Sequence, residues 1–84
     1  MKYTVEITSS AQRQFKKLPE DIQEHFIPKI FSLEATPRPV GTKKLQASDY
    51  YRIRMGDYRI VFSIEDKARL IKILDIGHRK DIYR

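Results

Sequence analysis

Cysteine is absent from this chain, which excludes a disulfide framework, thiolate metal sites and thiol redox chemistry. The same absence fits a reducing cytoplasm. No apolar run approaches the roughly 20 residues that a membrane-spanning helix needs, and the opening MKYTVEITSS lacks the apolar core of a secretory signal. The sequence also holds no repeat, no low-complexity tract and no His/Asp/Glu cluster at metal-ligand spacing. The expectation is a soluble, non-exported protein with no membrane partner and no cofactor. With 84 residues it forms one domain, 1–84. So short a chain buries only about 60–65% of its unfolded surface, enough for one layer of helices on one sheet.

Charge is what the chain has in excess. Lys and Arg number 17 against 11 acids, a net charge of +6. A basic domain of this size attracts polyanions, either RNA or an acidic protein. Charge of this magnitude also serves solubility alone, so composition does not decide between binding and an idle surface.

Residues 2–8 alternate, with Tyr3, Val5 and Ile7 on one side and Lys2, Thr4 and Glu6 on the other, the pattern of a half-buried strand. Ser9-Ser10-Ala11-Gln12 has capping-box spacing, and Ala11, Phe15 and Leu18 follow at helical intervals. Pro19 stops that helix and can open the next as its first residue, with Glu20 and Asp21 near the positive end of the dipole. Ile22, Phe26, Ile30 and Leu33, with Phe31, supply an apolar stripe. Pro28 within it is expected to kink or interrupt the second helix. His25 reads as a surface residue. The stretch 36–49 is an ordered connection, and three strands follow at about 50–55, 58–64 and 69–76, joined by hairpin-length loops. The last is apolar on both sides apart from Lys72 and Asp75, so it is expected inside the sheet. The order β-α-α-β-β-β predicts an α+β fold: two helices packed on one face of a mainly antiparallel four-stranded sheet.

The hairpin YYRIRMGDYRIVFSI is the most informative segment. A two-residue Gly56-Asp57 loop places Met55 opposite Tyr58, Arg54 opposite Arg59, Ile53 opposite Ile60, Arg52 opposite Val61 and Tyr51 opposite Phe62. One face then carries Tyr51, Ile53, Met55, Tyr58, Ile60 and Phe62. The other carries Arg52, Arg54 and Arg59, expected as a wet cationic surface. Like charges directly opposite cost roughly 0.2–1 kcal/mol, and no acid lies on that face of the hairpin. Three residues of one sign, all of the type suited to bidentate phosphate contacts, point to an anion site. The tail Gly77-His78-Arg79-Lys80-Asp81-Ile82-Tyr83-Arg84 adds His, Arg, Lys and Tyr just past a buried strand, on the sheet's rim.

YRIRMGDYRIVF and GHRKDIY, in this order and spacing, together with the Lys-Leu-Pro at 17–19, closely resemble the RelE family of bacterial and archaeal toxins, and the similarity runs over the whole chain. The resemblance implies a ribosome-dependent mRNA endonuclease that cuts in the A site without a metal, by attack of the ribose 2′-hydroxyl on the adjacent phosphate. It also implies an acidic cognate antitoxin encoded nearby. By motif position, Arg52, Arg54, Arg59, Arg79 and Tyr83 are the catalytic candidates. Lys43, Lys44 and Lys80 are candidate RNA contacts, and His78 a candidate acid/base. Arg52 and Arg54 stand where the best-known members carry lysine, and the interval from Arg79 to Tyr83 is shorter than theirs. Arginine is a poor proton-transfer group, so these positions would grip phosphate and stabilise charge. Two other readings compete: a ParE-like DNA gyrase inhibitor of the same fold, and a non-catalytic basic nucleic-acid-binding module.

Overall fold

A computed structural model describes residues 2–46 and 48–78. Seven elements follow in order: β1 (Thr4–Ile7), α1 (Ser9–Lys16), α2 (Glu20–Ser32), β2 (Lys43–Lys44), β3 (Tyr50–Met55), β4 (Tyr58–Glu65) and β5 (Leu70–His78). They form one sheet ordered β1-β5-β4-β3-β2, in which β1 runs parallel to β5 and the remaining pairs are antiparallel. The sheet thus has five strands where four were expected. The addition is β2, two residues within the 36–49 connection, too short for alternation to reveal.

Helix α1 begins one residue earlier than the capping-box reading implied. Thr8 is extended and its Oγ1 accepts from the Ala11 amide at 3.2 Å, which satisfies one of the open N–H groups of the first turn. Gln12 reaches back to the Ile7 carbonyl at 2.8 Å. Pro19 is the N-cap of α2 rather than its first helical residue, with Glu20 and Asp21 in the first turn. The helix runs unbroken through Pro28. Pro28 and Glu24, whose carbonyl it deprives of a donor, both lie on the exposed side of the helix, where a freed carbonyl is tolerated. His25 is exposed, as expected.

Both helices cover one sheet face. Ala11, Phe26, Ile30 and Leu33 pack with Ile53, Ile60, Phe62, Ile71, Ile73 and Ile76 in a single buried core. Phe31 stays outside it, 61% exposed. Strand β5 lies between β1 and β4 as anticipated, and its sequence hides a bulge. Asp75 pairs with Val61 and Ile73 with Phe62, so Leu74 is an extra residue. The insertion shifts the alternation by one and lets Ile71, Ile73 and Ile76 all face the helices. Gln14 of α1 holds the bulge from above, donating to the Asp75 carboxylate and accepting from the Ile76 amide.

A polar knot ties the connection before β2 to the sheet. The Tyr3 hydroxyl donates to Asp66 Oδ1 at 2.6 Å, and Arg38 Nη2 donates to Asp66 Oδ2 at 3.0 Å and to the Tyr51 hydroxyl at 3.3 Å. The Arg38 guanidinium lies 5.1 Å from the centre of the Tyr51 ring, which stacks on Phe62. Arg38 and Tyr3 hold the Asp66 carboxyl below its ordinary range, and the bond to Asp66 holds the Tyr3 phenol above its own. A depressed carboxylate contributes stability above its unfolded pKa of about 4 and loses it as pH falls through the lower folded value. A raised phenol contributes below about pH 10 and loses its contribution as pH climbs through the folded value. Asp66→Asn is therefore expected to flatten the acid limb of the stability curve below about pH 4. Urea unfolding across the acid range checks this, and an unaltered acid limb would show that the knot adds nothing to stability.

Candidate functional site

The hairpin obeys the register that the sequence dictates. Arg54 pairs with Arg59, Arg52 with Val61, Ile53 with Ile60 and Met55 with Tyr58. Gly56 takes φ +60°, and Asp57 is not among the described residues with positive φ, the pattern of a type II′ turn with glycine first. Because directly opposite residues share a face, two rows can be traced across the sheet on the side away from the helices. One runs Lys43, Arg52, Val61; the other runs Arg54, Arg59, Gly77. Side chains opposite one another have Cβ atoms about 5 Å apart, so Lys43 is a fourth cation against the arginines. Lys44 pairs with Tyr51 and falls on the other face.

The expectation of a wholly wet face is corrected. Arg54 is exposed, but Arg52 is only 8% and Arg59 only 3% accessible. Counting within the hairpin treats it as if it stood alone. In the sheet β4 is the central strand, with β5 on its other side, and Val61 on the same face is equally buried at 7%. Neither buried guanidinium is without an interaction partner. Arginine tolerates such burial better than lysine, being more weakly hydrated and able to form several directed hydrogen bonds. Among the described residues the two rows thus present Arg54 and Lys43 to solvent, backed by two arginines held within the sheet.

His78 is not brought to this face. It pairs with Tyr58 and sets its ring edge-on to the Tyr58 ring with centroids 5.4 Å apart. Tyr58 in turn meets Phe26 of α2, so by register His78 stands on the helix side. Arg79, Lys80 and Tyr83 lie outside the described residues. No group of three or more His, Asp or Glu disposed to hold a metal occurs among the described residues.

Sequence reasoning missed Lys29. This α2 residue lines a cavity of about 200 Å³ together with Val40, Gly41, Lys43, Arg52 and Arg54. The available signal was its place three residues beyond Phe26, beside the buried stripe, where a long side chain can carry its charge to the rim. The chain reaches this cavity through a turn in which the Thr42 amide bonds the Pro39 carbonyl at 3.0 Å, with Gly41 at φ +94°. A positive φ at the third turn position is the type II pattern, for which glycine is suited.

The domain is a two-helix, mixed-sheet fold with arginines concentrated on the sheet face away from the helices. The family described as ParE toxin of type II toxin-antitoxin system, parDE, matches residues 5–83. The chain is 35% identical over 86 residues to Toxin RelG of Mycobacterium tuberculosis, covering 100% of this chain and 99% of that protein. It is 23% identical to an mRNA interferase RelE of Shigella flexneri over 95% of this chain and 86% of that one. The archaeal RelE of a RelE-RelB complex from Pyrococcus horikoshii superposes with a TM-score of 0.84 at 33% identity, over 94% of this chain and 97% of that one. The chain belongs to the RelE/ParE superfamily of type II toxin-antitoxin toxins.

Two neighbouring positions of β3 should behave oppositely. Arg54→Gln removes an exposed charge from opposite Arg59 and is expected to leave stability unchanged or raise it by up to about 1 kcal/mol, with the gain shrinking in high salt. Ile53→Ala empties a core position that is 2% exposed and should cost on the order of 2–5 kcal/mol. Urea unfolding at low and high salt compares the two, and equal losses would make Arg54 a structural residue.

Proposed function

We propose that this toxin is a ribosome-dependent mRNA endonuclease that cuts in the A site without a metal and so stops translation in the cytoplasm. The observation that carries the reading is the concentration of Arg52, Arg54, Arg59 and Lys43 on one sheet face in paired rows. In the proposed step the ribose O2′ loses its proton and attacks the adjacent phosphorus. The bond to the 5′-oxygen breaks, and that oxygen takes up a proton. The products are a 2′,3′-cyclic phosphate and a 5′-hydroxyl. Negative charge grows on the phosphorane oxygens, and donors fixed before reaction stabilise it without reorganising. Arg52 and Arg59 suit that fixed role because the sheet buries them, while Arg54 is free to meet the incoming phosphate. Arg79, by its place in the motif, adds a further guanidinium. Arginine does not exchange protons near neutral pH, so Tyr83 takes the proton-transfer role.

The Shigella relative bears the name mRNA interferase, which supports the reaction class. The described residues hold no cluster of metal ligands, and the arginines supply the positive charge that a metal otherwise would. The partner is a cognate antitoxin, by analogy with the RelE-RelB assembly of the Pyrococcus relative. A net charge of +6 favours an acidic one.

The matched family's description as ParE of parDE favours a second reading, inhibition of DNA gyrase. Assays of mRNA cleavage on programmed ribosomes and of gyrase supercoiling, run on the same preparation, separate the two. Arg54→Ala and Arg79→Ala should each lower cleavage about a hundredfold or more while the proteins remain folded. Cleavage should persist in EDTA when polyamines maintain the ribosome. Naked mRNA should be a poor substrate, since a small domain with few acid/base groups relies on the ribosome to orient the nucleophile. Supercoiling inhibition without cleavage would replace this reading with the second.

A further inference from the structure

We infer that the cavity between α2 and the β2–β3 edge is a second phosphate subsite, which holds an mRNA phosphodiester next to the scissile one and depends on Lys29. The inference rests on the mRNA-cleaving reading and adds a substrate-positioning residue from a different element. Lys29 of α2, Lys43 of β2 and Arg54 of β3 all line it, together with Val40 and Gly41 of the turn before β2. None of the residues lining this cavity is acidic. Among the described residues neither lysine nor Arg54 has a carboxylate within ion-pair distance, the recorded pair there being Arg38–Asp66. Lys29, Lys43 and Arg54 around one recess with no carboxylate among its described lining residues form an unfavourable arrangement that a polyanion relieves.

Position decides which polyanion. Arg54 borders both this cavity and the larger groove between α2 and the hairpin, which Lys29 also lines. Arg54 is thus the hinge between the arginine face and the α2 side. A strand whose scissile phosphate sits at Arg54 and Arg59 passes around the edge of β3 and lays its next phosphate between Lys29 and Lys43. Lysine is suited to this role as a compact point charge that grips a phosphate without the directional demands of a reacting centre. Lys29 also lies in the last turn of α2, where a cation favours the helix dipole. A purely structural role would therefore appear as lost stability with unchanged substrate affinity.

The test compares wild type with Lys29→Ala, Lys29→Glu and Lys29→Arg on ribosomes programmed with mRNA, reading KM and kcat over a range of salt, with thermal melts to confirm folding. Lys29→Ala should raise KM about fivefold, Lys29→Glu more, and Lys29→Arg should restore it, while kcat stays within about twofold. The salt dependence should be shallower by about 0.7 in logarithmic slope, one single-strand phosphate contact fewer. An mRNA with a neutral methylphosphonate at the one flanking position should bind wild type and Lys29→Ala alike. If wild type cleaves and Lys29→Glu keeps its KM, the subsite is wrong while the cleavage reading stands. If the Lys29 effect survives methylphosphonates at every flanking position, the phosphate belongs to ribosomal RNA and the assignment to the mRNA strand falls. If wild type does not cleave, both fall together.

Discussion

A two-residue loop leaves a hairpin one register. Gly56 and Asp57 take the type II′ pattern that matches the twist of the flanking strands. From that turn outward every position of β3 is committed to a partner on β4. A slip of β3 by one residue against β4 would move Ile53 to the open face and drive Arg52 and Arg54 beneath the helices. The apolar core and the cationic face are therefore a single decision. The hydrophobic burial that stabilises the fold is also what forces like charges together, and no local rearrangement of the hairpin can relieve them.

That coupling explains why the domain carries an electrostatically unfavourable surface. Arg54 against Arg59 is a cross-strand pair that propensity would avoid. It persists because the opposite faces of the same two strands hold Ile53 and Ile60, at 2% and 1% exposure. Placing Arg59 on the central strand goes further, since it fixes a guanidinium where a solvent-exposed side chain would wander. For a reaction that needs positive charge in place before the phosphorane forms, such fixing has value. Arg54, nearer the hairpin end, stays exposed.

Much of this was legible in the sequence, because the controlling rules are local. Alternation located β1, β3 and β4, the turn chemistry set the hairpin register, and the helical spacing of Ile22, Phe26, Ile30 and Leu33 found the buried side of α2. What escaped depends on neighbours distant in the chain. The burial of Arg52 and Arg59 depends on surroundings beyond the hairpin, which no count within it reveals. The Leu74 bulge needs β4 as its reference. Strand β2 exists only because β3 offers an edge. Lys29 reads as an ordinary helical lysine until α2 is docked beside the β2–β3 edge. His78 shows the limit of motif position: adjacency to Arg79 in sequence says nothing of which face its ring takes, and alternation along β5 puts it with Tyr58.

The polar knot belongs to the same logic from the other side of the molecule. The connection after α2 must travel round the sheet edge to deliver Lys43 opposite Arg52, and a stretch with two prolines and a glycine has no regular hydrogen bonding to hold its path. Arg38 supplies the anchor. It is bound to Asp66 in the β4–β5 turn and packed on Tyr51 of β3, so the chain is fixed four residues before the turn closes at Thr42. Tyr51 is the neighbour of Arg52 and points to the opposite face. The residue on which Arg38 packs and a residue of the cationic row are thus successive positions of one strand. Any displacement of the anchor passes to the cationic row through a single peptide unit, which is planar and stiff. A surface ion pair of modest energy thus fixes the path that leads to Lys43, whose own position is set by its strand pairing with Arg52.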